Sequence, residues 1–181
     1  MYDVIEVEMM NKKGVSYLLI LLAVTMLIYL IFSDGNSYKS NVQAKNGVLD
    51  LSEIPKDEEV VALSGEWKFA ANRYLNSADR LQFTTLENIP GPWSADANYG
   101  TYQLKILLPD HFREIGIRVR NIWSAHRLSI NGEELATKGT LATTKEGAIP
   151  SNPVYEVYLK PTSKTLVITL QVADFYNARH V

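Results

Sequence analysis

The sequence predicts an all-β sandwich preceded by one transmembrane helix. Two observations carry that reading. Val15 to Phe32 reads VSYLLILLAVTMLIYLIF, eighteen residues without a charge, and a helical span needs roughly 17–25 apolar residues. From Gly47 onward, short runs alternate apolar and polar residues between Gly, Pro, Asn and Asp clusters, which is the pattern of half-buried strands separated by turns.

The apolar run over 15–32 is read as an uncleaved anchor. In lipid its backbone polar groups are satisfied only within a helix. A cleavable leader would have a shorter apolar core, with a small-x-small site close behind. Here IFSDGNS follows, and the small residues of Val42-Gln43-Ala44 lie far downstream. Lys12 and Lys13 precede the run, so positive charge keeps 1–14 cytoplasmic and puts the rest outside. Lys39 and Lys45 reduce that bias. A start at Met9 or Met10 would leave a short basic leader. Residues 33–46, SDGNSYKSNVQAKN, lack apolar periodicity and read as a linker.

Within 47–181 the strands appear in order. Leu63, Gly65, Trp67 and Phe69 alternate in LSGEWKF. Tyr102, Leu104, Ile106 and Leu108 do so in TYQLKILLP, and Ile117 and Val119 alternate with Arg118 and Arg120. Leu128 and Ile130 lead into Asn131-Gly132, a hairpin signal because both residues tolerate positive φ. Val154 to Leu159 is a further strand, and Leu166, Ile168, Leu170 and Val172 form the last. Asn72 to Phe83 reads as a short helix with Ser77 as a cap. The stretch 139–153, GTLATTKEGAIPSNP, is a long loop that would suit a lid.

Composition excludes several classes. The net charge is −2, without the basic excess a nucleic-acid binder uses on phosphates. There is no Cys and there are three His, none at metal-ligand spacing. No cofactor motif occurs. Candidate carboxylates for hydrolysis are Glu66, Asp57-Glu58-Glu59 and Glu133-Glu134, all at positions expected to be solvated. Ser124 and His126 lie two apart with no carboxylate partner indicated.

Binding needs fewer special residues than catalysis. Aromatic rings stack on the apolar faces of sugars, while Asn, Arg and His satisfy hydroxyls. Trp93 and Tyr99 sit in the loop PGPWSADANYG, and loops at the end of a sandwich concentrate binding residues. Trp93 equally suits a plug folded under that loop. If 121–131 is one strand, Trp123 and Arg127 face away from a core made by Ile122, Leu128 and Ile130. A bulge near Ser124-Ala125 would instead turn Trp123 inward. His126 falls on the inner face, either as a hydrogen-bonded core residue or as a ligand contact. The candidate ligand-binding set is Trp93, Tyr99, Trp123, His126 and Arg127.

GVLDLSEIPKDEEVVALSGEWKF, IPGPWS, YGTYQLKILLP and IWSAHRLSINGEELATKGT occur in that order. Together with LVITLQVADFYNARH, they resemble the extracytoplasmic domain of bacterial 7TMR-DISM receptors over about 47–180. Asp174 departs from the Asn frequent there. That resemblance implies a galactose-binding-like jelly roll, similar to the sugar-binding domain of family 2 glycoside hydrolases. It also implies a ligand sensor for signal transduction, with output domains beyond Val181. The chain is then a fragment, a truncation or a free-standing ectodomain. The expected function is a membrane-anchored outward-facing module for a small carbohydrate-like ligand. The rivals are a docking module for another envelope protein and, last, a glycosidase-related enzyme.

Overall fold

The computed structural model describes residues 14–27, 42–55, 60–76, 79, 82–83, 85–92, 97–120 and 122–176. The chain divides into two units, Met1–Tyr38 and Lys39–Val181. In the first, 14–27 is an α-helix with every residue exposed. Among the described residues no helix is long and apolar enough to cross a membrane. The expected span continues to Phe32, and 28–32 lie outside the described residues.

The second unit is a β-sandwich of nine strands among the described residues. They are β1 (Val48–Asp50), β2 (Gly65–Ala71), β3 (Thr85–Ile89), β4 (Tyr99–Leu107) and β5 (Ile115–Val119). β6 (Ala125–Ile130), β7 (Glu133–Lys138), β8 (Tyr155–Leu159) and β9 (Thr165–Ala173) follow. One sheet runs β3-β2-β4-β9-β6-β7, with β1 pairing parallel to β4; β5 and β8 form a second, two-stranded sheet. The longest strands, β4 and β9, pair at its centre, Tyr99 opposite Ala173 through Leu107 opposite Thr165.

The core lies between the sheets. Phe69, Tyr102, Leu104, Leu128, Leu166, Ile168 and Leu170 project from the large sheet. Ile117 projects from the small one, with Ile115, Val119, Tyr155, Val157 and Leu159 packed against the cluster. Phe69 and Tyr102 are register partners whose rings lie 4.5 Å apart. Burial of several such side chains, each about 1.5–3 kcal/mol, drives the layers together.

Asn131 (φ 52°) and Gly132 (φ 90°) make the expected turn between β6 and β7. Asn131 does more than turn: its Oδ1 accepts from the Val167 amide at 2.9 Å, tying the hairpin to β9. At Gly65 (φ 110°) an added Cβ would lie 2.4 Å from the Ala44 carbonyl oxygen, so only glycine admits the Ala44 backbone there.

Two expectations are corrected. Among the described residues of 72–83 there is no α-helix; 72–76 is an irregular strap whose polar groups bond to sheet side chains instead. Leu75 donates its amide to Thr101 Oγ1 (2.9 Å), and Thr101 Oγ1 donates to the Arg73 carbonyl (2.8 Å). Gln171 Nε2 donates to the Leu75 carbonyl at 3.1 Å. Ser77 lies outside the described residues. The strand expected over 121–131 starts only at Ala125, so Trp123 is not part of it. The irregularity in β6 falls between Leu128 and Ser129 where it meets β7, not at 124–125.

Candidate functional site

The face of the large sheet away from the core is unusually polar. Register aligns Lys68, Gln103, Thr169, Ser129 and Glu134 in one row across β2, β4, β9, β6 and β7. Two residues along, Ala70, Thr101, Gln171, Arg127 and Thr137 form the next. These residues alternate with the apolar core positions, as period-two geometry requires. Thr101, Gln103, Thr169 and Gln171 are nonetheless buried, at 0%, 5%, 3% and 7% exposure. The 72–76 strap crosses this face at Thr101 and Gln171.

A concavity of about 200 Å³ opens beside the strap. Leu75 and Asn76 form one wall; Arg127, Ser129 and Glu134 form the other; Thr169 and Gln171 lie between. Arg127 Nε lies 3.1 Å from Glu134 Oε2, and both side chains are about half exposed. Arg127 Nη1 donates to Gln171 Oε1 at 3.4 Å, and Thr137 Oγ1 donates to Glu134 Oε1 at 2.7 Å. The guanidinium is therefore fixed on two sides while donors remain.

Two buried polar atoms on this face lack a hydrogen-bond partner among the described residues: Thr169 Oγ1, on a residue that lines the concavity, and Gln103 Nε2, on the residue opposite it in β4. Leaving such a group unsatisfied costs about 1–3 kcal/mol, so an incoming hydroxyl or water would be welcome. Glu134 is the sole carboxylate among the described lining residues, whereas glycoside hydrolysis ordinarily uses a pair. Among the described residues no three His, Asp or Glu are grouped to hold a metal.

Of the five residues singled out from sequence, Arg127 lies in this concavity. Trp93 lies outside the described residues. Tyr99 opens β4 and packs between Tyr74 (5.0 Å between centroids) and Phe175 (6.3 Å). Tyr99 and Phe175, with Leu141 and Ala142 of the 139–153 loop, pack against buried Ala125, Ala148 and Ala173, and Tyr74 Oη donates to the Ala142 carbonyl at 2.7 Å. Burial pushes the Tyr74 phenol up to about 12. Trp123 is 56% exposed, between buried Ile122 and Ser124. His126 is fully buried in the core. Its Nδ1 lies 2.9 Å from the Ser124 carbonyl and its Nε2 3.0 Å from Tyr155 Oη, with the rings stacked at 5.7 Å. The carbonyl can only accept, so Nδ1 carries the proton and Tyr155 donates to Nε2. His126 thus cross-links the sheets and does not reach the concavity.

Sequence reasoning missed Ser129, Thr169 and Gln171, and weighed Glu134 only as a solvated carboxylate for hydrolysis. Their signal was present: polar residues at alternate positions of central strands, where one solvated face of a two-layer protein would show them. Nothing in the local pattern tells which of those faces a strap covers.

No protein-family model and no curated protein matches the chain. In structure it is similar to Faecalibacterium prausnitzii β-glucuronidase (TM-score 0.48, 17% identity, 63% of this chain and 20% of that one). It is similar also to β-glucuronidase from Ruminococcus gnavus in complex with uronic isofagomine (0.47, 12%, 67% and 24%). A third is the GH2 β-galacturonidase from Eisenbergiella tayi bound to galacturonate (0.42, 10%, 63% and 20%). The chain spans about a fifth to a quarter of the length of these proteins. One fold hosts many chemistries, and no activity is carried over from them.

Proposed function

We propose that this protein is a membrane-anchored, extracytoplasmic β-sandwich of the jelly-roll, galactose-binding-like kind, binding a small carbohydrate-like ligand as the sensor end of a bacterial receptor. One observation carries the binding part: the outer-face concavity, with a fixed guanidinium, a carboxylate and a buried Thr169 hydroxyl that has no partner among the described residues. Polyols suit such a lining, since each hydroxyl both donates and accepts. The uncharged run over 15–32 supports the anchor, and Lys12 and Lys13 support a cytoplasmic N-terminus. The ordered resemblance to 7TMR-DISM ectodomains supports the sensor role.

A second reading, docking on another envelope protein, draws on exposed Trp123 (56%), Val154 (66%) and Tyr158 (67%). Large exposed apolar residues favour an interface where they form a patch. The discriminating experiment is a thermal-shift screen of the full chain in detergent micelles against neutral and acidic monosaccharides. A melting temperature that rises with ligand concentration, as binding to the native state demands, is expected. A cooperative melt unmoved by the whole panel would leave docking as the better reading.

A further inference from the structure

We infer that the outer-face concavity selects a neutral sugar, gripped through two neighbouring hydroxyls by Arg127 and Glu134, and discriminates against acidic sugars. This deepens the proposed binding function and rests on it. Arg127 Nε and Glu134 Oε2 stand 3.1 Å apart, a donor and an acceptor side by side. Two hydroxyls on adjacent ring carbons present the complementary pair: one oxygen accepts from the guanidinium while the other hydroxyl donates to the carboxylate. Both groups keep capacity for this. Among the described residues, Arg127 uses Nε towards Glu134 and Thr137 and Nη1 towards Gln171, so other N–H donors remain of its five. Each Glu134 oxygen accepts one contact, from Arg127 or from Thr137, and has a second lone pair.

Charge decides the class of sugar. Among the described lining residues, the one cation, Arg127, and the one anion, Glu134, neutralise each other. A uronate would bring its carboxylate against Glu134, or else compete with Glu134 for Arg127, and like charges at one site oppose binding. A neutral sugar meets no such opposition. Leu75 offers the ring an apolar wall. Thr169 lines the concavity, and its Oγ1, buried and without a partner among the described residues, would reach a bound hydroxyl by a rotation about χ1. A site built to hydrogen-bond a hydroxyl rejects ligands that lack it.

The test is calorimetric titration of the full chain in detergent micelles with galactose, mannose and glucose, and with galacturonate and glucuronate. At least one neutral sugar is expected to bind, with the uronates at least about tenfold weaker. Thr169→Val should lose about tenfold in affinity while its ligand-free melting temperature holds or rises, because an unpaired buried hydroxyl has gone. Glu134→Gln, at a half-exposed position, should weaken neutral sugars and strengthen uronates, narrowing or reversing the preference. A wild-type preference for uronates would overturn the inference and leave sugar binding intact. So would a neutral sugar that binds both variants as it binds wild type, since its site would then lie elsewhere. No binding of either sugar class would bring down the binding function itself.

Discussion

His126 is the residue whose protonation the fold opposes. Burial lowers its pKa, and Lys138 pushes the same way, while the Ser124 carbonyl pulls it back up. Lys138 Nζ also sits 5.0 Å from the Tyr155 ring centroid, beside the histidine's partner. Burial pushes the Tyr155 phenol up to about 12, so it remains a donor near neutrality. In the unfolded chain the imidazole titrates at about 6.5. With the folded value below that, the unfolded state binds the extra proton first. Stability is therefore complete above about pH 6.5 and falls as pH drops towards the folded pKa. Melting temperatures between pH 8 and pH 5 should show this decline. His126→Gln should melt lower at pH 8, because the Tyr155 link is lost, yet decline less steeply below pH 6.5. An unchanged slope in the variant would assign the loss to another group. The exposed carboxylates of Asp50 and Glu156, lowered chiefly by hydrogen bonds from Ser52 and Tyr158, lose their contribution only near and below pH 4.

At the scale of elements, the strap over 72–76 depends on side chains of two strands. Thr101 of β4 both donates and accepts there, and Gln171 of β9 holds the Leu75 carbonyl. Thr101→Val keeps the volume and removes both contacts. The buried Leu75 amide is left unpaired, while the Arg73 carbonyl, on an exposed residue, can turn to water, so about 1–3 kcal/mol of destabilisation is expected. Hydrogen exchange at the Leu75 amide should quicken by far more than exchange in β4; equal acceleration in both would mean that the strap and sheet open as one unit. This element also shows what sequence could not convey. Asn72 to Phe83 has the composition of a helix, but its backbone partners lie 26 and 96 residues away in Thr101 and Gln171. Local propensity is weak against such tertiary partners. β2, β4, β5, β6, β8 and β9 were legible, because Trp67, Phe69, Leu104, Ile117, Leu128, Val157 and Ile168 fall at alternate positions facing a common core. β3 was not: TLENI is an edge strand whose burial alternates only weakly, and its pairing to β2 supplies the register instead. Arg127 was legible as an outward residue beside an Asn-Gly turn. Thr169 and Gln171 were legible only as polar positions of β9, since the concavity is formed where the strap and β7 meet that face.

At the scale of the whole molecule, the proposed anchor predicts that the sandwich lies outside the cell. The uncharged run over 15–32 and Lys12-Lys13 set the expectation, and they act through the membrane, not through contacts within the sandwich. The chain has no cysteine, so one introduced thiol reports without background. Asn152 is exposed in the segment before β8, and Asn152→Cys should leave stability within about 0.5 kcal/mol of wild type, as surface changes usually do. In intact bacterial cells a membrane-impermeant maleimide should label this variant without permeabilisation, and the protein should sediment with membranes after alkaline washing. Labelling only after the cells are opened would reverse the orientation and place any sugar site inside. Release by the wash, with labelling intact, would instead mean that the apolar run had been cleaved and the sandwich set free outside. Either result would also decide which pool of sugars, external or cytoplasmic, Arg127 and Glu134 can meet.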